Sequence, residues 1–115
     1  MLTVHHVNAA LVIAVCVVAG GAALLAWRRG ASGLVAHLIA LAQTLVIAQA
    51  GLGLLLLAEH KHAADRLHYA YGSFALLAVF APWLYAPDDP TKRLAWFAGA
   101  TLLAAALAVR AYLTA

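Results

Sequence analysis

Long apolar stretches, separated by short polar segments, dominate the hydropathy pattern of this chain. They cover residues 7–27, 34–58, 67–86 and 94–114, and the shortest has 20 residues. About 20 helical residues, rising 1.5 Å each, cross a hydrocarbon core of roughly 30 Å. The pattern therefore predicts four membrane-spanning helices, and the short connections between them indicate one transmembrane domain over residues 1–115.

Backbone chemistry favours helices over a β-barrel for these stretches. Every N–H and C=O group in lipid needs a partner within the protein, which helices and closed barrels both provide. Barrel strands alternate apolar and polar residues in segments of about 10 residues, whereas these runs are continuous and rich in alanine and leucine. We therefore predict an all-α, integral membrane, four-helix up-down bundle.

The composition agrees with a membrane protein. Hydrophobic residues make up 67% of the chain and charged residues 10%, and the mean hydropathy is +0.96. A soluble domain of this size needs far more polar surface to cover its core. The pI of about 9.4 arises without a basic stripe or a basic domain, so we expect contact with the lipid bilayer and no nucleic-acid partner.

The distribution of positive charge predicts an orientation. One side of a four-pass chain carries Arg28, Arg29, Lys92 and Arg93, and the other carries Lys61 and Arg66, with Arg110 near that far end. The positive-inside rule then places loops 28–33 and 87–93 in the cytoplasm and both termini outside. The first apolar run has its charge after it, not before it, so we interpret it as a retained helix and not a signal peptide. We expect a multi-pass protein of the cell inner (plasma) membrane.

Ionisable residues are concentrated at the predicted outer end. Five of the six histidines fall there, and only His37 falls at the other end. The outer group also contains acidic and basic residues, and its members are His5, His6, Glu59, His60, Lys61, His62, Asp65, Arg66, His68 and Arg110. Ionisable groups that enter an apolar region are costly and usually have a partner or a function. His68 and Arg110 do so, whereas a solvated loop accounts for His5, His60 and His62 without any ligand.

One face of the third predicted helix suits a flat ligand. His68, Tyr71 and Gly72 share this face, so that an imidazole is followed by a gap without a side chain. Haem b held between membrane helices needs two axial nitrogens and cations near its propionates. We expect His6 and His68 to supply the nitrogens, and Arg110 or Arg66 the cation. Arg110 could instead snorkel to the interface or pair with Glu59 or Asp65.

A zinc or copper site is a second interpretation of the same residues. His6 and His68 would be its first ligands, with His5, Glu59, His60 and His62 as further candidates, since imidazole and carboxylate suit these metals. His60 and His62 are two positions apart, which on a helix would direct them about 200° apart. The absence of any cofactor is the third interpretation.

The segments "RLHYAYGSFALL" and "LAVRAYL" carry a resemblance to known proteins. They resemble those of a group of small four-helix membrane proteins of high-GC bacteria. That group has a histidine just before the first helix, a His-x-x-Tyr-Gly motif opening the third, and an Arg-Ala pair near the end of the fourth. The matching positions here are His6, His68, Tyr71, Gly72, Arg110 and Ala111. The resemblance implies that His68 and Arg110 belong to one site, and it implies no activity.

Two functions follow from these residues. The first is a haem-binding, cytochrome-like electron-transfer subunit with its ligand at the outer end. The alternative is a non-catalytic accessory or assembly subunit of a larger membrane complex. We expect the chain to assemble as a homo-oligomer or as a subunit of a membrane complex. A small proton-coupled transporter would need an acidic residue buried in the first helix, where this chain has only Asn8 and Cys16 as polar groups. Ser32 and Ser73 lack a base and an orienting residue, so we do not expect an enzyme acting alone.

Overall fold

The computed structural model describes residues 2–29 and 32–115, and within them the chain is all α-helical. Its helices are α1 (Leu2–Ala26), α2 (Gly33–Ala58), α3 (Leu67–Tyr85) and α4 (Pro90–Leu113). All four are long and apolar enough to cross a membrane. The prediction of an all-α chain with four potential membrane spans is confirmed, and these helices indicate a multi-pass membrane protein.

Local hydrogen bonds fix where two of the helices begin. The Ser32 hydroxyl accepts from the backbone N–H of Val35 at 3.3 Å, which caps α2. The Asp89 carboxylate accepts from the N–H of Lys92 at 3.0 Å, and Pro90 occupies the first turn of α4, where its missing N–H costs nothing. Helix α4 therefore begins four residues before its predicted apolar run at 94.

Helix α1 also begins earlier than the hydropathy pattern indicates. Its first residue is Leu2, whereas the predicted span begins at residue 7. His5 and His6 were expected to precede the helix, and they instead lie in its first two turns. Successive helical residues point about 100° apart, so the two imidazoles face different surroundings.

Small side chains form much of the core. Cys16, Ala19 and Ala23 of α1 are fully buried, as are Ala42 of α2 and Ala98 of α4. Small residues let membrane helices approach closely, and the approach is closest at Gly20. A Cβ atom placed on Gly20 would lie 2.7 Å from the Leu102 side chain and 3.2 Å from the Leu102 nitrogen. The packing of α1 on α4 therefore depends on this glycine.

Large apolar side chains cover the outside of the chain. The most exposed are Leu25, Leu84 and Tyr85, with 84%, 75% and 71% of their surface accessible. The molecule is 46 Å long and 23 by 19 Å across, which compares with about 40–45 Å for a bilayer with its headgroup regions. Such a surface is suited to lipid, and it leaves polar chemistry to the ends of the helices.

Candidate functional site

Polar groups from all four helices meet at one end of the molecule. We call this group the histidine cluster, and it consists of His5 and Asn8 of α1, Gln49 of α2, His68 of α3 and the Ala111 carbonyl of α4. His5 lies against both Gln49 and His68. The cluster is therefore assembled from residues that are far apart in sequence.

Asn8 and Gln49 link the first two helices. The Asn8 amide nitrogen donates to the backbone oxygen of Leu45 at 3.2 Å and to Oε1 of Gln49 at 2.9 Å. An interhelical hydrogen bond in a membrane is worth about 0.6 kcal/mol on average. Gln49 therefore hydrogen-bonds across to a neighbouring helix.

The same hydrogen bonds determine which nitrogen of His5 carries its proton. The Leu45 oxygen can only accept, so the Asn8 atom facing it is the NH₂ group, and Gln49 must turn its oxygen toward Asn8. The Gln49 NH₂ group then lies 3.3 Å from Nε2 of His5, which accepts. In a neutral imidazole one nitrogen accepts and the other donates, so the proton is on Nδ1.

This Nδ1–H group of His5 is buried without a hydrogen-bond partner among the described residues. The side chain as a whole is only 7% exposed. Leaving a buried donor unpaired costs about 1–3 kcal/mol, which is a large penalty for a small protein. The ring is enclosed by Gly53, whose hypothetical Cβ would lie 3.5 Å from Cε1, and by the His68 ring 6.1 Å away between centroids.

His68 is held in the same Nδ1–H tautomer as His5. Its Nδ1 atom lies 2.6 Å from the Ala111 oxygen, and because a carbonyl only accepts, Nδ1 must donate. Ala111 is in the last turn of α4, and its oxygen also accepts from the Thr114 N–H at 3.3 Å and from the Thr114 hydroxyl at 3.1 Å. In the neutral ring Nε2 then carries the free lone pair. A histidine oriented by an Nδ1–H···O=C bond, with Nε2 free, is the usual arrangement of a metal-ligating histidine.

His6 lies outside this buried arrangement. Its side chain is exposed, and its ring is 6.1 Å from Tyr112 and 6.5 Å from His5 between centroids. The two adjacent histidines therefore differ in exposure, and His5 is the one in direct contact with His68.

Arg110 and Tyr71 form a separate contact between α4 and α3. The guanidinium donates to the Tyr71 hydroxyl at 3.5 Å and lies 5.4 Å from the ring centroid. Arg110 is exposed and Tyr71 half-buried. Within the described residues the only ion pair joins Lys61 to Glu59 at 3.5 Å, so Arg110 pairs with neither of the carboxylates considered for it.

Gly72 is one turn beyond His68 on α3, and it borders open space. A Cβ atom built there would meet nothing within 4 Å. Gly51 of α2 is open in the same way, whereas Gly53 faces His5. The gap beside His68 is thus on an exposed side of the protein.

The loop between α2 and α3 is largely exposed. His60 and His62 are exposed, and His60 adopts a left-handed backbone with φ of 62°. The loop is tied to α3 by the Tyr69 hydroxyl, which accepts from the Ala63 N–H at 2.9 Å. In the part of the chain that the structure describes, no three His, Cys, Asp or Glu side chains are grouped to hold a metal ion.

Comparisons with known proteins give no match to this chain among family models, curated proteins or solved structures. The site therefore has to be interpreted from its own geometry.

Sequence reasoning did not identify Asn8 and Gln49 as part of the site, and it gave His5 a secondary position. A signal for His5 was present, since it lies seven residues before Val12 on the face that continues through Cys16 and Ala19. Residues seven apart in a helix share a face. No comparable signal pairs Asn8 with Gln49, because that pairing depends on how two helices pack.

Proposed function

We propose that the protein is a cytochrome-like electron-transfer subunit that binds haem b, or a ligand of similar coordination chemistry, at the histidine cluster. In this proposal the helices run up and down, both termini face the outside, and the protein lies in the cell inner membrane. Haem supplies one-electron redox chemistry when it is bound. The residues of this chain hold it, orient it and balance its charge.

The observation that carries the proposal is the hydrogen bond from His68 Nδ1 to the Ala111 oxygen. It fixes the orientation of the ring and selects the tautomer. The lone pair is then left on Nε2, as a metal-ligating histidine requires. The bond needs the start of α3 and the end of α4 to lie side by side. A histidine that served only to hydrate a helix end would not need this arrangement.

His5 is the preferred candidate for a second ligand. The His5 and His68 ring centroids are 6.1 Å apart, which would let both imidazoles approach one ligand. Ordinary aromatic pairs lie at similar distances, so exposure decides between His5 and His6. His5 is buried beside His68, whereas His6 is exposed. Ligation through His5 Nε2 requires the Gln49 amide to turn away, because it now donates to that atom.

Arg110, Tyr71 and Gly72 fit the remaining requirements of such a ligand. A Cβ atom at Gly72 would meet nothing within 4 Å, so no described atom obstructs that position, one turn from His68. The Arg110 guanidinium has no carboxylate partner within the described residues, and Tyr71 orients it through a 3.5 Å hydrogen bond. A guanidinium so placed suits the carboxylate of a propionate.

The deciding experiment is a reduced-minus-oxidised absorption spectrum of detergent-purified protein, with metal analysis of the same sample. Haem ligated by two histidines gives sharp low-spin Soret and α bands, and His68→Ala should remove them. His5→Ala and His6→Ala distinguish the second ligand. Zinc or copper in a colourless sample would replace haem by a small metal ion. A colourless, metal-free protein that does not bind added hemin would refute the proposal.

The alternative function, an accessory or assembly subunit, has its own supporting observation. Gly51, Gly72 and Gly99 lie on three different helices, and a Cβ atom at any of them would meet nothing within 4 Å. Exposed small residues allow a helix of another chain to approach closely. A stable complex with another membrane protein, isolated in mild detergent and broken by Gly51→Leu or Gly99→Leu, would support this role.

A further inference from the structure

A groove lies between α2, α3 and α4 at the end of the protein opposite the histidine cluster. Its volume is about 340 Å³, and its principal lining residues are Ile39, Gln43, Trp83, Arg93, Leu94 and Phe97. Arg93 precedes Ala111 by 18 residues of α4, which corresponds to about 27 Å along the helix. The groove therefore belongs to the other membrane surface and shares no residue with the histidine cluster.

One cation, Arg93, lies in a groove whose other lining residues are apolar except for Gln43. The half-buried Arg93 guanidinium lies 5.8 Å from the Trp83 ring centroid and 5.5 Å from that of Phe97. Among the described residues it makes a single hydrogen bond, to the Ala86 oxygen at 3.4 Å, although a guanidinium has five N–H donors. Its orientation is fixed by the two rings, while most of its hydrogen-bonding capacity is unused.

No carboxylate within the described residues lies within 4.0 Å of Arg93. The nearest acidic residues in sequence are Asp88 and Asp89, and Asp89 accepts from the Lys92 N–H as the cap of α4. Arg93 is thus a cation that lacks an anion, held at the mouth of an apolar groove. Tryptophan is enriched at the level of lipid headgroups, so Trp83 places this guanidinium at phosphate depth.

We propose that this groove is a binding site for an anionic phospholipid. The lipid phosphate binds the Arg93 guanidinium, and one acyl chain follows the apolar wall formed by Ile39, Leu94 and Phe97. Gln43, half-buried on the same wall, donates to an ester carbonyl of the lipid. A phosphodiester matches the planar N–H pairs of arginine, and an acyl chain matches the apolar lining.

Charge and size exclude other occupants. An uncharged quinone would leave the Arg93 guanidinium without an anion. A zwitterionic lipid would bring its own ammonium group close to Arg93. A partner helix needs a long apolar seam, whereas the α2 wall from residue 36 to residue 43 extends only about 10 Å.

Native mass spectrometry of the delipidated, detergent-solubilised protein tests this site. Phosphatidylglycerol and phosphatidylethanolamine with identical acyl chains are titrated separately. We expect one phosphatidylglycerol to bind about five- to tenfold more tightly than phosphatidylethanolamine, the scale expected for one arginine near a membrane surface. Arg93→Gln should remove this preference, and Lys92→Gln, next to it but outside the groove, should keep it.

A second variant separates loss of the site from loss of the fold. Ile39→Trp fills the groove and leaves the Arg93 charge in place, and it should also abolish the tight binding of phosphatidylglycerol. Circular dichroism establishes that each variant keeps its helix content. Equal affinities for the two lipids, an effect of Lys92→Gln as large as that of Arg93→Gln, or unchanged binding by Ile39→Trp would each overturn the proposal. A haem spectrum that is unaltered in Arg93→Gln is expected, because the two sites are at opposite ends.

Discussion

His68 donates from Nδ1 to the backbone oxygen of Ala111 at 2.6 Å, which joins the first turn of α3 to the last turn of α4. A carbonyl of this kind cannot be removed by substitution, and it cannot change protonation state. The free nitrogen of His68 is therefore always Nε2 in the neutral ring. This relationship underlies the first prediction.

Replacement of His68 by alanine should lower hemin affinity by more than about tenfold, since even residues that only orient a metal ligand contribute 10–100-fold. Spectroscopic titration of the purified protein with hemin measures this change. His60→Ala and His62→Ala remove histidines from the exposed loop, and both should bind as the unmodified protein does. Equal losses in all three variants would mean that hemin binds to surface imidazoles in general.

Arg110→Leu should weaken hemin binding without abolishing it, because the guanidinium neutralises a carboxylate and is not an iron ligand in our proposal. Its only side-chain hydrogen bond within the described residues is the one to Tyr71. The same titration measures the effect, with Lys92→Leu at the other end of α4 as the matched control. An unchanged affinity would assign Arg110 to the membrane interface alone.

The Asn8–Gln49 hydrogen bond should be visible as a coupling energy. A double-mutant cycle with Asn8→Ala and Gln49→Ala, followed by unfolding in mixed micelles, should give about 0.6 kcal/mol and at most about 1.7 kcal/mol. Gln43 is on the same helix and faces the groove at the opposite end. A cycle between Asn8→Ala and Gln43→Ala should therefore give no coupling, and a coupling as large as that of the first pair would contradict the arrangement described.

Gly20 and Gly21 provide a matched pair for testing the α1–α4 packing. Gly20→Ala places a methyl group 2.7 Å from the Leu102 side chain, and overpacking of this kind costs about 1–3 kcal/mol. Gly21→Ala meets nothing within 4 Å, so it should be neutral or slightly stabilising because alanine favours a helix. Thermal unfolding of both variants in one detergent measures the difference in stability. Equal unfolding midpoints would mean that Leu102 does not lie against Gly20.

The orientation can be tested by cysteine labelling. Cys16 is fully buried, and Cys16→Ala gives a background without a thiol. In that background Lys61→Cys should react with an impermeant maleimide in intact cells, and Lys92→Cys should react only after the membrane is permeabilised. The opposite labelling pattern would mean that the protein has the reverse orientation, with the histidine cluster on the cytoplasmic side.

Hydropathy was sufficient to predict four helices, because each apolar run is long enough to cross a bilayer and has no interior break. It was insufficient at the start of α1, where Thr3, His5 and His6 lower the local hydropathy although the backbone continues as a helix from Leu2. Because the apolar run begins at residue 7, His6 stands directly before it, and the sequence favours His6 over His5 as a ligand. The burial of His5 depends on the helix rotation, which the next turns at Val12 and Cys16 determine.

The partners of these polar residues could not be predicted from local sequence. His68 and Ala111 are 43 positions apart, and His5 and Gln49 are 44 positions apart. Each contact depends on which helices are neighbours and on their relative shift along the bundle axis. Arg93 was expected only to mark the cytoplasmic side, and its position between Trp83 and Phe97 follows from the packing of α3 on α4.

The bond between Asn8 and Gln49 also bears on the order in which the helices enter the membrane during synthesis. The ribosome produces Asn8 41 residues before Gln49, so α1 emerges with an amide and an imidazole that lack their later partners. It is the most apolar of the four helices, which offsets the cost of carrying these groups. Arrival of α2 then supplies Gln49 and the Leu45 carbonyl together. We therefore expect the translocation machinery to release α1 and α2 into lipid as a hairpin, with α3 and α4 joining a pair that has already formed.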